Sequence, residues 1–250
     1  MHICLPIWKN WKACCRSLSM EKLLFDLIYR LIPGLVAGSM VIRSVKYYQD
    51  KSSDYGRLTP QMSAGLLLVS VVAFYIPGME WVYRVRTVPG TLFTIIPMVY
   101  GVWMLVLVSY LDQRSGYIQT LPIYRSMFMS LVSLVILGVT KDIRYGWADL
   151  FMVICAHAVC YVLHLFCYTK GDYYIFLAGQ YLALLLCKEY FISTVFSMVF
   201  LACLFSVIRN LFRVRTLLRQ RKDKSLLHIK TPFSMYIALG IWVSLFLFTG

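Results

Sequence analysis

Acidic residues are scarce in this sequence. Asp and Glu fill 11 of 250 positions, and all charged residues together make up 14%. An ordinary soluble domain carries about 25% charge, so the composition excludes one. Hydrophobic residues account for 60% of the chain, and the mean hydropathy is +0.70. The eight cysteines, Cys4, Cys14, Cys15, Cys155, Cys160, Cys167, Cys187 and Cys203, include no CxxC pair, so neither a zinc ribbon nor a disulfide framework is indicated. Most read as small apolar fillers of helix interfaces. Internal repeats, low-complexity tracts and Pro-rich linkers are missing as well. The first residues, MHICLPIWKNWKACCRSLSMEK, lack the apolar core and small-residue cleavage site of a secretory signal; Trp8 and Trp11 read as interfacial anchors.

What the chain does have is long charge-free runs. They extend from Leu58 to Met79, Thr87 to Leu111, Ser126 to Thr140, Leu150 to Thr169, Tyr173 to Cys187, Tyr190 to Ile208 and Thr231 to Gly250. Seven spans of about 20 residues would use roughly 140 positions, leaving no room for a large soluble domain. The expected fold is therefore an all-α integral membrane protein with about seven transmembrane helices. An eighth candidate, Leu23 to Ile42, is interrupted by Asp26, Arg30 and Pro33. Because a charge at mid-bilayer costs about 3 kcal/mol, this stretch reads as a surface-lying or re-entrant helix.

Basic residues set the expected orientation. With the N-terminus inside, 20 of the 25 Lys and Arg fall on the cytoplasmic side, and only Arg84, Arg86, Lys141, Arg144 and Lys188 fall on the other. The net charge of +14 thus reads as topology plus attraction to anionic lipid head groups, and nucleic acid is not expected as a partner. The segment from Arg209 to Lys230 mixes Leu211, Phe212, Val214, Leu217 and Leu218 with eight basic residues, as in a helix continuing along the membrane surface.

The acidic residues are few enough to weigh one by one. Asp112 falls where the second span reaches the cytoplasmic boundary, and Asp172 where the fifth leaves it. Both are expected at the same membrane face. Asp142 and Asp149 fall at the opposite face, as solvated or helix-capping residues, and Asp26 with Arg30 reads as an i, i+4 ion pair. In the fourth span His157, Cys160, His164 and Cys167 share a helix face. A buried interface stripe accounts for them better than a metal site, because ligands on one helix do not surround an ion.

Asp112 opens the run Asp112-Gln113-Arg114-Ser115-Gly116-Tyr117-Ile118, and Asp172 closes Thr169-Lys170-Gly171-Asp172, with Gly179 two turns further on and Pro232-Phe233 before the last span. In this order and with these spans between them, the residues resemble the type IV prepilin peptidase family of GxGD membrane aspartyl proteases. The resemblance covers roughly Thr91 to Gly250. The chain departs from the family pattern at Thr169 for the first Gly of GxGD, Gln119 for a Pro, and Tyr174 for a Lys. The family's paired CxxC loop is absent, so the accompanying N-methyltransferase activity is not expected.

The resemblance implies a six-span peptidase core over residues 89–250, preceded by a basic, amphipathic region and one span over residues 1–88. It implies an aspartic endopeptidase that uses Asp112 and Asp172, with Thr169, Lys170, Gly171, Ile118 and Gly179 shaping turns or contacting substrate. The implied substrate is a prepilin-like protein cut between its basic leader and its apolar helix, with no metal or organic cofactor. Asp172 begins its own helix and Asp112 ends its own, so the helix dipoles assign the base to Asp172 and the acid to Asp112. The alternatives are a catalytically degenerate homologue, a small transporter or assembly factor, and a Cys/His peptidase built on the fourth span.

Overall fold

The computed structural model describes residues 30–51, 57–75, 88–116, 118–140, 146–166, 170–219 and 234–249. Every regular element among them is helical. In chain order these are α1 (Ile32–Lys51), α2 (Pro60–Tyr75), α3 (Val88–Ser115), α4 (Thr120–Val139), α5 (Trp147–Phe166), α6 (Lys170–Leu186), α7 (Phe191–Arg219) and α8 (Ser234–Thr249). A single 3₁₀ turn, Lys188–Tyr190, joins α6 to α7. Each of the seven charge-free runs contains a helix; most boundaries shift by a few residues, but the third helix in this set starts six residues earlier and the sixth ends eleven residues later than its run.

By length and composition, three stretches are long and apolar enough to cross a membrane: Leu92–Ser115, Thr120–Val139 and Lys188–Arg209. Four further apolar helices are shorter: Pro60–Phe74, Trp147–Ala158, Asp172–Leu186 and Ser234–Phe248. The outside of the bundle is as apolar as these lengths imply, with Leu68, Phe128, Val135, Phe196, Phe200 and Leu247 all more than half exposed. A surface of this kind is unstable in water and matches a lipid solvent, which marks the chain as a membrane protein.

The core lies around α3, which packs against α1, α2, α4, α6 and α8. Met104, Leu107 and Leu111 on α3 are fully buried with Ile175 and Leu185 of α6 and Ile237 of α8. In lipid the apolar drive between helices is weak, so small residues and interhelical hydrogen bonds take a larger share of the association. α4 turns Ser126, Ser130 and Ser133 inward, each fully or almost fully buried. Trp103 Nε1 donates to Ser44 Oγ at 3.0 Å, tying α3 to α1, and Gln180 Nε2 donates to the Ala156 carbonyl at 2.9 Å, tying α6 to α5.

Of the stretch from Leu23 to Ile42 the structure describes residues 30–42; Asp26 lies outside them, and Arg30 and Leu31 form a π turn that leads into α1 at Ile32. Pro33 occupies its first turn, where a missing N–H removes no intrahelical bond. From there α1 pairs lengthwise with α2. A Cβ on Gly34 would come 2.9 Å from Val71 Cα, and one on Gly38 would come 3.1 Å from Leu67 Cα. As the chain advances on α1 it recedes on α2, so the two helices form an antiparallel hairpin within the bundle rather than an element lying across it.

A second difference concerns the basic segment after Ile208. The helix runs unbroken from Phe191 to Arg219, so the basic residues from Arg209 to Arg219 extend α7 itself. The cysteines divide too. Cys187 is buried, whereas Cys155 and Cys203 face outward and fill no interface.

Candidate functional site

Asp112 sits in the last turn of α3. The helix stops four residues later because Gly116 takes φ +68°, a left-handed conformation that only glycine adopts at little cost. The Gly116 amide donates to the Asp112 carbonyl at 2.8 Å, which ties the end of the helix to the residue that carries the carboxylate. Asp172 sits in the first turn of α6. Both side chains are buried, at 6% exposure for Asp112 and 2% for Asp172.

Four independent contacts put these residues at the same end of the bundle. A Cβ on Gly101 of α3 would meet Leu182 of α6, and a Cβ on Gly179 of α6 would meet Ile241 of α8. At about 1.5 Å per residue, Asp112 lies about 16 Å along α3 from Gly101, and Asp172 about 15 Å along α6 from Leu182. The Ser234–Asp112 contact puts the start of α8 beside the end of α3. Ile241 is seven residues beyond Ser234, as Gly179 is beyond Asp172, so α6 and α8 run parallel to each other and antiparallel to α3. A fourth contact is between the rings of Tyr174, two residues after Asp172, and Tyr124 near the start of α4, with centroids 5.4 Å apart.

Asp112 is held from outside its own helix. Its Oδ2 accepts the Ser234 backbone N–H at 3.3 Å and, in a closer contact, the Ser234 hydroxyl. Ser234 is the first residue of α8, so its amide is one of the donors that a helix start leaves without an intrahelical partner. Asp112 therefore ends one helix and caps the start of another. The dipole argument that made Asp112 the acid considered α3 alone. With α8 included, both aspartates meet a helix N-terminus, and the dipoles no longer tell acid from base.

The remaining residues expected at the site fall differently. Lys170 and Gly171 are the first two residues of α6 rather than a turn ahead of it. Thr169, Pro232 and Phe233 lie outside the described residues. Ile118, in the link between α3 and α4, is half-buried against the hydrophobic core, which is a packing position. Gly179 shares a face of α6 with Asp172, seven residues away, and its role is spatial. A Cβ there would stand 2.7 Å from Ile241 Cδ1, so the glycine lets α6 approach α8 two turns from the carboxylate. Ser234 was missed by the sequence reasoning, which stopped at Pro232 and Phe233; its local signal was a serine opening a charge-free run, as helix starts often have.

The chain matches no family model, no curated protein and no solved structure. The resemblance to prepilin peptidases thus rests on the order and spacing of the residues themselves.

Other candidates lie apart from this end. Asp149 Oδ2 accepts the Gly146 amide at 2.7 Å and pairs with Lys188 Nζ at 3.1 Å. It caps α5 and joins it to the far end of α6, as a helix-capping residue at the opposite face would. Asp149→Ala is expected to lower unfolding stability by about 1 kcal/mol, the usual value of a lost cap, measured by denaturation in mixed micelles; an unchanged midpoint would mean the cap contributes nothing. Asp142 lies outside the described residues. His157 has Nδ1 2.9 Å from the Val153 carbonyl and its ring edge-on to Tyr181, which occupies it structurally. The side chains of Cys160 and His164, and all of Cys167, are outside the described residues. Among the described residues no three His, Cys, Asp or Glu could hold a metal ion together.

Proposed function

We propose that this protein is a membrane aspartyl endopeptidase that removes the basic leader from a prepilin-like protein, using Asp112 and Asp172. The observation that carries the reading is the burial of both carboxylates at one end of the contact among α3, α6 and α8. Taking a carboxylate out of water costs several kcal/mol, so two at one level of an apolar bundle are hard to explain by stability. Such groups mark functional sites. The ordered likeness to the GxGD pattern supports the same residues.

In this reading the protein has seven or eight spans and lies in the cytoplasmic membrane. The end of α3 and the starts of α6 and α8 lie at the aspartate end, where Arg114 and Lys170 fall, and the basic residues from Arg209 to Lys230 directly precede α8 in the sequence. By the positive-inside rule that end faces the cytoplasm, where a prepilin's basic leader meets its apolar helix.

The chemistry divides between the two acids. One carboxylate takes a proton from water as its oxygen attacks the scissile carbonyl, and the protonated partner donates to the carbonyl oxygen. Collapse of the tetrahedral intermediate breaks the C–N bond and passes a proton to the leaving amine. Two carboxylates brought together on a substrate share one proton, because both do not ionise together. The proton belongs to the pair rather than to either residue, and no metal or organic cofactor takes part.

The test is cleavage of a co-expressed prepilin-like substrate, read as a gel shift, with wild type, Asp112→Asn and Asp172→Asn at matched membrane levels. Processing by wild type alone is the expected result. Processing that survives either isosteric change would sink the aspartyl mechanism, and none by wild type would favour a non-cleaving homologue.

A further inference from the structure

We propose that Ser234 is the positioning residue for Asp112, holding Oδ2 with both of its donors and leaving Oδ1 as the oxygen that exchanges protons. The inference rests on the peptidase reading for its catalytic meaning, but not for the contact itself. One residue supplies two donors to a single carboxylate oxygen: the backbone N–H at 3.3 Å and the hydroxyl in a closer contact. No hydrogen bond reaches the other oxygen from the described residues. The two oxygens of Asp112 are thus chemically distinct before any substrate arrives.

Ser234 can do this because of where it stands. It opens α8, so its amide points away from the helix it begins and toward a neighbour. It is fully buried, so water does not compete for either donor. α8 is itself fixed against α6 through Gly179 and Ile241 and against α7 through Gly240. A carboxyl torsion is broad and roughly twofold, and a free Asp112 would present either oxygen. Two donors from one rigid helix start remove that freedom, and such pre-organisation counts in a reaction that requires aligned proton transfer. The hydroxyl also belongs to a hydrogen bond with a charged acceptor, a stronger class than neutral pairs.

The experiment uses the full-length protein in membranes and two readouts. The first is the rate of carbodiimide labelling at Asp112 at one fixed pH, mapped by mass spectrometry, with Asp149 as internal reference. Carbodiimides react at a carboxyl oxygen, so freeing Oδ2 from a donor that holds it raises the rate. Ser234→Ala is expected to raise Asp112 labelling about tenfold, the scale of one hydrogen bond to a charged group. Ser234→Cys, nearly isosteric and only a weak donor, is expected to follow it. Ser234→Thr restores the hydroxyl and the wild-type rate, and Asp149 labelling stays constant throughout.

The second readout is leader cleavage. Ser234→Ala is expected to lower kcat about tenfold with KM unchanged, because the contact orients a reacting group and does not bind substrate. Wild-type labelling of Asp112 in both the Ala and the Cys variants, with Asp149 constant, overturns the proposal. Labelling that responds as expected in a protein whose wild type cleaves nothing supports the hold of Ser234 on Asp112 and overturns the peptidase reading instead.

Discussion

The double variant Asp112→Asn/Asp172→Asn is expected to cleave a prepilin-like leader no more slowly than either single variant. Each single change is expected to slow cleavage by roughly 10²- to 10⁴-fold, the usual range for a lost acid or base. On the peptidase reading the two acids act on one proton between them. When one carboxylate is gone, its partner has no group to exchange with, and removing the partner as well takes away little more. Residues that act as one unit lose activity together rather than multiplicatively. Asparagine keeps the shape of each side chain, so the Ser234 hydroxyl still meets an oxygen at position 112. Single-turnover cleavage in membranes measures the three rates. Losses that multiply across the double variant would make the two aspartates independent, and the pairing inferred from their common level in the bundle would have to be given up.

The second large effect concerns stability. Gly240→Ala is expected to cost about 2 kcal/mol, while Gly179→Ala is expected to be close to neutral. Both glycines sit at helix crossings, but they meet different neighbours. A Cβ on Gly240 would stand 2.6 Å from the Met198 carbonyl oxygen and 2.9 Å from the Ala202 amide nitrogen. Those are backbone atoms of α7, and they yield only if the whole helix moves, an overpacking cost of about 1–3 kcal/mol. A Cβ on Gly179 would meet the outer carbons of Ile241, at 2.7 and 2.9 Å. These are side-chain atoms, which yield more readily than a helix backbone even on a buried β-branched residue, and alanine gains up to about 1 kcal/mol of helix propensity in return. Unfolding in mixed micelles followed by circular dichroism separates the two, and equal midpoints would show that the identity of the neighbour is irrelevant. Gly240 lies six residues beyond Ser234 on the same helix, so forcing α8 from α7 also disturbs the start of α8.

The helices α2 to α8 were legible because charge brackets them. Asp112 and Gln113 close one run, Lys188 and Glu189 separate two others, and the basic segment from Arg209 ends another. The first helix was less legible for the same reason: Asp26, Arg30 and Pro33 interrupt its apolar stretch, while in the structure Arg30 lies in a π turn that leads into α1 and Pro33 falls in the first turn of α1. What fixes α1 in the bundle is the fit of Gly34 and Gly38 against α2, and a fit between surfaces leaves no mark in a hydropathy pattern. The site shows the same division. Asp112 and Asp172 stood out because acids are rare here and both fall at the ends of charge-free runs. Ser234 did not, because a hydrogen bond between residues 122 positions apart has no local signature. The dipole argument for acid and base left that contact out.

The partner that fixes Asp112 belongs to a helix synthesised after both aspartates. Both aspartates have left the ribosome and can be inserted while Ser234 is still untranslated. Until α8 slots in beside α3, α6 and α7, the nascent chain carries its two acids without the residue that orients one of them. On the peptidase reading, the orientation of Asp112 is thereby tied to the docking of α8 rather than to the synthesis of the two acids alone.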